Sequence, residues 1–490
     1  MATRQVSSPS SNVTGHQPMR VVATAASVGT ALEAYNFILY AQAAALVFAN
    51  VFFPQLSPAA GTLASFATLV VAFAAQPIGA VAFAHFGDRI GRKPMLIVAI
   101  VLSGGTTFAM GLVPGYATIG LAAPVILVAL RLLQGAGVGG ELTGSDLLAV
   151  EHAPTGRRGG YASLNRVGAY AGVLLANGAL LIMSVTLSDA AFQSWGWRIP
   201  FLAGGLIMTV GVYLRLRVAE TPRFLTDLAE QPTSTAVRGT SAVPASPQTG
   251  PAWLRGGRAR PAAGAARLPV WETVRRYPKT LLLAIGAVTV GPLLTYTALS
   301  FGLAYGVGLG VPQTTMLTAV SVATAINVPI FLLFGWLSDR VGRRPVCMTG
   351  AGAAIVWAFP LLWLIDTRSP LWITVSLTIT LIISGMIGGS VAAFLPELFE
   401  TRVRFTGAAI SVNVSSILGG GLALLVSTAL VHATGSAASV SGYLAVVALI
   451  SLLCIRALPE THRRDLAPPA APADPVPHHV GGPGVPSPAE

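Results

Sequence analysis

Twelve apolar runs of roughly 20 residues follow one another along the 490-residue chain. Their cores lie near 22–49, 60–84, 95–113, 122–148, 162–186, 199–217, 280–304, 314–337, 346–365, 371–393, 407–431 and 438–456. A run of that length crosses the ~30 Å hydrocarbon core of a bilayer as a helix. In lipid every backbone N–H and C=O must be bonded internally, which leaves helices or a closed barrel, and runs this long are helices. Charged residues make up only 10% of the chain, against about 25% in soluble domains. So few charges cannot cover a soluble surface. The sequence predicts an all-α integral membrane protein with twelve transmembrane helices.

The remaining charges are ordered along the chain. The net charge is +12, and the basic residues cluster in alternate loops. Arg89, Arg92 and Lys93 follow run 2, Arg157 and Arg158 run 4, and Arg340, Arg343 and Arg344 run 8. Arg402 and Arg404 follow run 10, and Arg463 and Arg464 run 12, while the opposite loops carry only Arg198 and Arg368. By the positive-inside rule, both termini and the basic loops are expected in the cytoplasm, with the chain in the plasma (inner) membrane. Clusters of this kind mark topology and not a nucleic-acid surface. The stretch 225–278, which includes "PAWLRGGRARPAAGAARLP", separates two sets of six runs. It reads as a disordered cytoplasmic linker whose arginines lie near anionic lipid. The segment 1–19 reads as a cytoplasmic tail and 466–490 as a disordered cytoplasmic tail, leaving six-helix bundles at 20–224 and 279–465. Cys347 and Cys454 sit in apolar contexts, so neither a disulfide nor a metal site is expected.

The two halves repeat. "GDRIGRKP" at Gly87 returns as "SDRVGRRP" at Ser338, "EHAPTGRR" at Glu151 as "ELFETRVR" at Glu397, and "AETPRF" at Ala219 as "PETHRR" at Pro459. Three pairs in the same order indicate a duplicated six-helix unit. Internal repeats of this kind build secondary transporters, whose substrate site lies at midplane between halves that rock around it.

"HFGDRIGRKPML", "RLLQGAGVGGE", "EHAPTGRRGGYAS", "WGWRIPFL", "VAETPRF" and "PELFETRVRFTG" together resemble the metabolite:proton symporter family of the major facilitator superfamily. The resemblance runs from helix 1 to helix 12 and omits the tails and the linker. "FGWLSDRVGRRPV" and "FPLLWLIDTRSP" are similar to shikimate- and organic-acid-type members. The resemblance implies two pseudo-symmetric bundles and alternating access. It also implies a small-molecule substrate, an organic acid or a zwitterion, moved together with protons.

Ionisable side chains inside transmembrane runs are rare and point to function. Glu33, Arg131, Glu141, Asp146 and Arg166 all lie in the first half, whereas the second half offers Tyr296, Ser300, Asn327, Ser411 and Asn413. Glu33, Asn36 and Tyr40 are spaced i, i+3, i+7 and are expected on one face of helix 1. Glu33 reads as a proton or substrate site, or as a structural glutamate bracing helix packing. Where the family carries an aspartate this chain has Asn36, and where it carries an arginine on helix 2 this chain has Gln76. Losing one member of a buried ion pair is costly and losing both is nearly neutral. Asn36 and Gln76 are therefore expected to face each other as an amide pair.

On helix 4, Arg131, Gln134, Val138, Glu141 and Ser145 share a broad face. Arg131 resembles the superfamily's helix 4 arginine, which is tied to proton coupling. Its guanidinium stays charged and needs an anion, either Glu33 in a fixed pair or a substrate carboxylate. Asp146 reads as hydrated near the helix end. Gly135, Gly137, Gly139 and Gly140 allow a neighbouring helix to come close. On helix 5, Arg166, Tyr170 and Asn177 share a face, and Asn165–Arg166 stands where the family has a proline–glutamine pair. Arg166 reads equally as an anion site or as a side chain snorkelling to the interface. On helix 11, Val412–Asn413 replaces a tyrosine–glutamine pair. Tyr296 and Asn413 are the site candidates from the second half.

Asp88 and Asp339 each precede a Gly-Arg cluster at a helix end, where a carboxylate gains from the helix dipole. The arginines, Arg92 and Arg343 among them, are placed to bridge to Glu151 and Glu397. By resemblance these six form a cytoplasmic gate; the plainer alternative is a topology signal alone. The reading is a secondary active importer of a small polar metabolite, an organic acid, by proton symport. A uniporter or drug/proton antiporter of the same fold, and a membrane sensor that binds without transport, stay open beside it. The sequence carries no nucleophile–base pair, phosphate loop or metal-ligand spacing, so no enzyme activity, cofactor or metal is expected.

Overall fold

The computed structural model describes residues 19–90, 92–139, 153, 156–217, 269–400 and 403–462. Among the described residues every regular element is a helix. Ten helices are long and apolar enough to cross a membrane, and two shorter apolar stretches, Ile97–Leu112 and Arg198–Tyr213, complete the twelve. The first bundle contains α1 (Met19–Ala43, continued by Ala44–Phe48 and Ala49–Phe52), α2 (Pro58–Ile90), α3 (Arg92–Leu112), α4 (Ala122–Gly139), α5 (Arg158–Thr186) and α6 (Arg198–Arg217). The second contains α7 (Pro278–Tyr296, continued by Thr297–Phe301 and Gly302–Gly308), α8 (Gln313–Val341), α9 (Arg343–Asp366), α10 (Pro370–Glu397), α11 (Arg404–Ser416, Ile417–Leu422, Ala423–Thr434) and α12 (Ala437–Ala457).

Within the first bundle α1 packs on α5, α2 on α4 and α3 on α6; within the second α8 packs on α10, and α9 on α10 and α12. The bundles meet where α5 crosses α8 and α10, where α2 crosses α11, and where α1 reaches α7. Lipid supplies no hydrophobic drive between helices, so close backbone approach must hold them. The glycine run of α4 does this. A Cβ on Gly135 would overlap the Ala72 carbonyl oxygen of α2, and one on Gly139 the Gln76 carbonyl oxygen. Gly137 packs on α3, 3.2 Å from the Ala99 carbonyl oxygen for an added Cβ. Gly140 lies outside the described residues.

Three spans carry a π-helical turn, at Ala44–Phe48 in α1, Thr297–Phe301 in α7 and Ile417–Leu422 in α11. Such turns recur at functional sites. Here each lies at the seam between bundles: the α7 turn touches α1, the α1 turn touches the end of α7, and the α11 turn lies on α2. Beside the α1 turn, Phe48, Phe52, Trp197 and Phe201 pack edge to face, with Phe48–Trp197 centroids 5.5 Å apart. That cluster continues into Leu299 and Phe301 of the second bundle.

One expectation needs correction. The end of the presumed disordered linker, Pro269–Arg276, is helical. Glu272 lies in its first turn and Arg275 and Arg276 in its last, which suits the helix dipole. Glu272 and Arg276 also pair at 3.8 Å. The helix rests on α7 and α11.

Gly135→Val should destabilise the protein by about 1–3 kcal/mol through overpacking against α2. A thermal melt in detergent should show a lower midpoint, with Gly352→Ala, where an added Cβ meets nothing within 4 Å, unchanged. An unchanged Gly135→Val melt would contradict the close α2–α4 contact.

Candidate functional site

Arg131 projects from α4 and is completely buried. Its guanidinium carbon lies 3.7 Å from the Tyr40 ring centroid and 4.9 Å from that of Phe37, both on α1. Nη1 donates to Gln134 Oε1, and Gln134 Nε2 donates to Thr107 Oγ1 at 2.6 Å. The Thr68 hydroxyl donates to the Ser65 carbonyl at 2.6 Å, so its 2.6 Å bond to Tyr40 is one that Tyr40 donates. Tyr40 thus donates its hydroxyl to Thr68 while its ring face meets the cation. Arg131 Nε and Nη2 have no hydrogen-bond partner, and among the described residues no carboxylate is in ion-pair contact with Arg131. Of the two anions the sequence offers Arg131, Glu33 and a substrate carboxylate, Glu33 makes no ion pair with it here, and the aromatic faces of Tyr40 and Phe37 lie against the guanidinium.

Glu33 shares a face of α1 with Phe37 and Tyr40, is half-buried, and lies in electrostatic range of Tyr296 on α7. Asn36 turns away from that face. It donates to Ser103 of α3 at 3.3 Å, and its carbonyl oxygen lies beside Gly204 of α6. Gln76 is buried on α2 with its carbonyl oxygen unbonded. The expected Asn36–Gln76 amide pair does not exist. A polar side chain three residues from Glu33 lies about 60° round the helix, enough to reach α3 instead of the seam.

On α5, Arg166 lies in electrostatic range of Tyr170. The Tyr170 ring packs 4.5 Å from that of Phe331 on α8. Its hydroxyl is 3.4 Å from Thr295 of α7, which bonds Ser384 of α10 at 2.7 Å. Tyr296 closes the layer. It lies in range of Arg131, Glu33 and Tyr170, and its ring packs on Phe73 of α2, 5.6 Å away, which packs on Phe37, 5.2 Å away. Asn177 is one step further from the basic loops. It accepts from Gln42 at 2.6 Å and donates to Thr324 of α8 at 3.1 Å, while Gln42 also donates to the Leu299 carbonyl at 3.4 Å. Asn413 is buried on α11 with its carbonyl oxygen unbonded. Glu141, Glu151 and Asp146 lie outside the described residues, as do the side chains of Asp88 and Arg92.

At the basic-loop end the bundles are tied by charge. Asp339 of α8 accepts the backbone N–H groups of Gly159 and Gly160, at 2.8 and 2.9 Å, at the N-terminus of α5. The dipole at a helix N-terminus favours this charge. An added Cβ at Gly159 would strike the Arg343 guanidinium and the Gly335 carbonyl. Arg343 is fully buried, bonds Asp339 at 2.7 Å and Glu397 at 3.4 Å, and donates to Ser338 at 2.6 Å. Thr461 donates to Glu397 at 2.6 Å. Glu460 accepts the N–H groups of Arg343 and Arg344 at the N-terminus of α9 and those of Thr461 and His462. Burial pushes the Glu460 carboxyl up, but these four N–H bonds outweigh it and hold the pKa below its ordinary value. The strap's stability is thus full above the ordinary carboxylate pKa and is lost only as pH falls through the depressed value.

The hydroxyls of Thr68, Thr107, Thr295 and Ser384 went unread as site residues in the sequence, and so did Gln42, Phe37, Phe73 and Glu460. Gln42 is an amide within an apolar run, Phe37 lies one turn beyond Glu33, and Phe73 carries no polar signal. Glu460 sits in "PETHRR", read only as a repeat.

The sugar (and other) transporter family model matches residues 22–468. The chain belongs to this family of the major facilitator superfamily. It is 35% identical to the inner membrane metabolite transport protein YhjE of Escherichia coli (strain K12), over 91% of this chain and 95% of that protein. It is 34% identical to the shikimate transporter of the same organism, over 91% of this chain and 95% of that one. The crystal structure of a D-xylose-proton symporter shares the fold, with TM-score 0.67 and 19% identity over 91% of this chain and 99% of that one. The chain is thus a multi-pass membrane transporter of sugar or metabolite type and not an enzyme.

For this family member the Asp339 contact crosses the seam between bundles. Hydrogen bonds to charged groups contribute about 1.5–3 kcal/mol, so Asp339→Asn should open the basic-loop end at least about tenfold more often. A cysteine at Ser163, buried under Gly335, should react correspondingly faster with a water-soluble maleimide once Cys347 and Cys454 are replaced by serine. Equal rates with and without Asp339→Asn would count against the latch.

Proposed function

We propose that this transporter imports a small organic acid together with protons, and that Arg131 binds the substrate carboxylate. The observation that carries the reading is the fully buried Arg131 guanidinium with Nε and Nη2 unfilled. Removing a cation from water costs several kcal/mol, and a ring face returns only about 2 kcal/mol. A carboxylate arriving between Arg131 and Tyr296 fills the two empty donors in a bidentate geometry that suits a guanidinium.

Glu33 is the proposed proton carrier. Among the described residues it is the one acidic side chain in the spans away from helix ends, and it lies in range of Tyr296 beside the same site. A proton on Glu33 offsets the negative charge that the substrate brings, so the loaded site crosses the bilayer without an added net charge. The bundles touch both at Asp339–Gly159 and at Gln42–Leu299. Alternating access then consists of breaking one set of contacts while the other holds. The basic loops are assigned to the cytoplasm by their excess of arginine.

Purified protein in liposomes, with an internal pH dye and a panel of organic acids, tests this. Arg131→Gln should lower uptake by about 10- to 100-fold, the worth of one or two charge-assisted hydrogen bonds. Glu33→Gln should keep substrate binding and abolish accumulation driven by an inward proton gradient. Acid uptake that is indifferent to both substitutions would overturn the proposal.

A further inference from the structure

His462 follows the end of α12, and its Nδ1 lies 3.3 Å from a Glu460 carboxylate oxygen. That nitrogen is buried and makes no hydrogen bond. One oxygen of Glu460 accepts the N–H of Arg343 at 2.9 Å, and the other accepts that of Arg344 at 2.9 Å. The carboxylate rests on Gly342, where an added Cβ would approach it to 2.8 Å. Gly342 has φ 114°, which glycine adopts without steric cost. Glu460 is thereby seated in the turn between α8 and α9.

The four N–H groups that Glu460 accepts are neutral backbone donors. The cations around it are engaged elsewhere. Arg343 pairs with Asp339 and with Glu397 of α10, and Arg344 donates to the Arg456 carbonyl of α12 at 2.6 Å. The Cys347 thiol is in electrostatic range of Glu460 and Arg343. Among the described residues, His462 is the one basic side chain within ion-pair distance of Glu460. Histidine is the side chain whose charge ordinarily changes between about pH 5 and 8, and Glu460, held below its ordinary pKa, stays ionised there. A neutral imidazole brings no charge to the carboxylate. An imidazolium carries an N–H on both nitrogens and a full positive charge.

The effect reaches the seam in three steps. Glu460 fixes the start of α9, Arg343 at that start holds Asp339, and Asp339 crosses to Gly159 and Gly160 of α5. A group already held in its bonding position loses less freedom when the contact forms. We propose that His462 is a positioning residue for the basic-loop latch, acting through Glu460 and Arg343, and that its charge tightens the latch. The inference needs neither the substrate nor the role of Glu33 given above. Where the import reading also holds, protons delivered on the basic-loop side charge His462 and slow the next opening there, so that the carrier is restrained by its own product.

The test is the maleimide labelling rate of Ser163→Cys in the full-length protein. The background carries Cys347→Ser, Cys454→Ser and Glu33→Gln, so that no other thiol reacts and Glu33 does not titrate. Rates are taken at about pH 8 and about pH 6, the range over which histidine ordinarily changes charge. Each is divided by the rate of the same protein unfolded in detergent, which removes the pH dependence of the thiol itself. A partly exposed ion pair shifts an equilibrium by about two- to fivefold, so labelling should be slower by that factor at the acid value. His462→Gln should label at the fast rate at both values, and His462→Lys, which keeps a charge, at the slow rate at both. Asp339→Asn should label fast whatever the state of His462. A pH profile that His462→Gln leaves unchanged would overturn the proposal, as would a parent whose labelling does not change with pH. Equal losses of melting midpoint in His462→Gln and His462→Lys, with no difference in labelling between them, would make His462 a packing residue and also overturn it. Labelling that ignores Asp339→Asn would overturn the latch and the proposal with it.

Discussion

A fully buried guanidinium that faces rings instead of a carboxylate sets the terms for the rest of this transporter. Such a charge is tolerable only where its surroundings are fixed, because each ångström of misplacement forfeits the little stabilisation that ring faces supply. The first bundle provides that rigidity. Gly135 and Gly139 bring α4 against α2 beside Gln134 and one turn beyond it, Gln134 is fastened to Thr107 of α3, and Thr68 of α2 holds Tyr40 by its hydroxyl. Three helices thereby orient one side chain.

The two ends of the seam are closed by different chemistry. On the basic-loop side the contact across bundles is charge-assisted, with Asp339 held by two backbone N–H groups of α5 and by Arg343. On the other side it consists of neutral bonds, Asn177 to Thr324 and Gln42 to the Leu299 carbonyl. Neutral bonds contribute about 0.5–1.5 kcal/mol each and charged ones about twice that. Per contact, the loop side is therefore the stronger closure. The strap through Thr461 and Glu460 reinforces the same corner, since it fixes Glu397 and the start of α9, on which Arg343 depends.

Run length and internal repeats made the fold legible, because a bilayer admits so few backbone solutions. The gate was legible in part. The sequence placed Asp339 near a helix N-terminus, but that terminus belongs to α5 of the other bundle, and spacing along a chain cannot tell which helix end lies opposite. The same limit explains Asn36. Period alone groups it with Glu33 and Tyr40, yet a polar residue at the edge of a face turns to whichever neighbour bonds it, and Ser103 lies there. Arg131 was legible as a cation needing a partner. That rings would hold it was not, since Phe37 is indistinguishable from a lipid-facing residue in a one-dimensional pattern and Tyr40 was read only for its place on a polar face.

The division of labour between the halves follows from the same electrostatics. Glu33, Arg131 and Arg166 all belong to the first bundle, and the second presents hydroxyls, amides and rings to them. If opposite charges were shared across the seam, each rocking motion would separate them in a medium of low dielectric, where attraction is strongest. Keeping the charges on one rigid body removes that penalty. The bonds broken at the centre of the seam are then neutral ones, such as Tyr170 to Thr295 at 3.4 Å. A duplicated sequence has in this way become asymmetric in charge while remaining symmetric in fold, and the asymmetry lowers the cost of moving the two halves apart around a charged site.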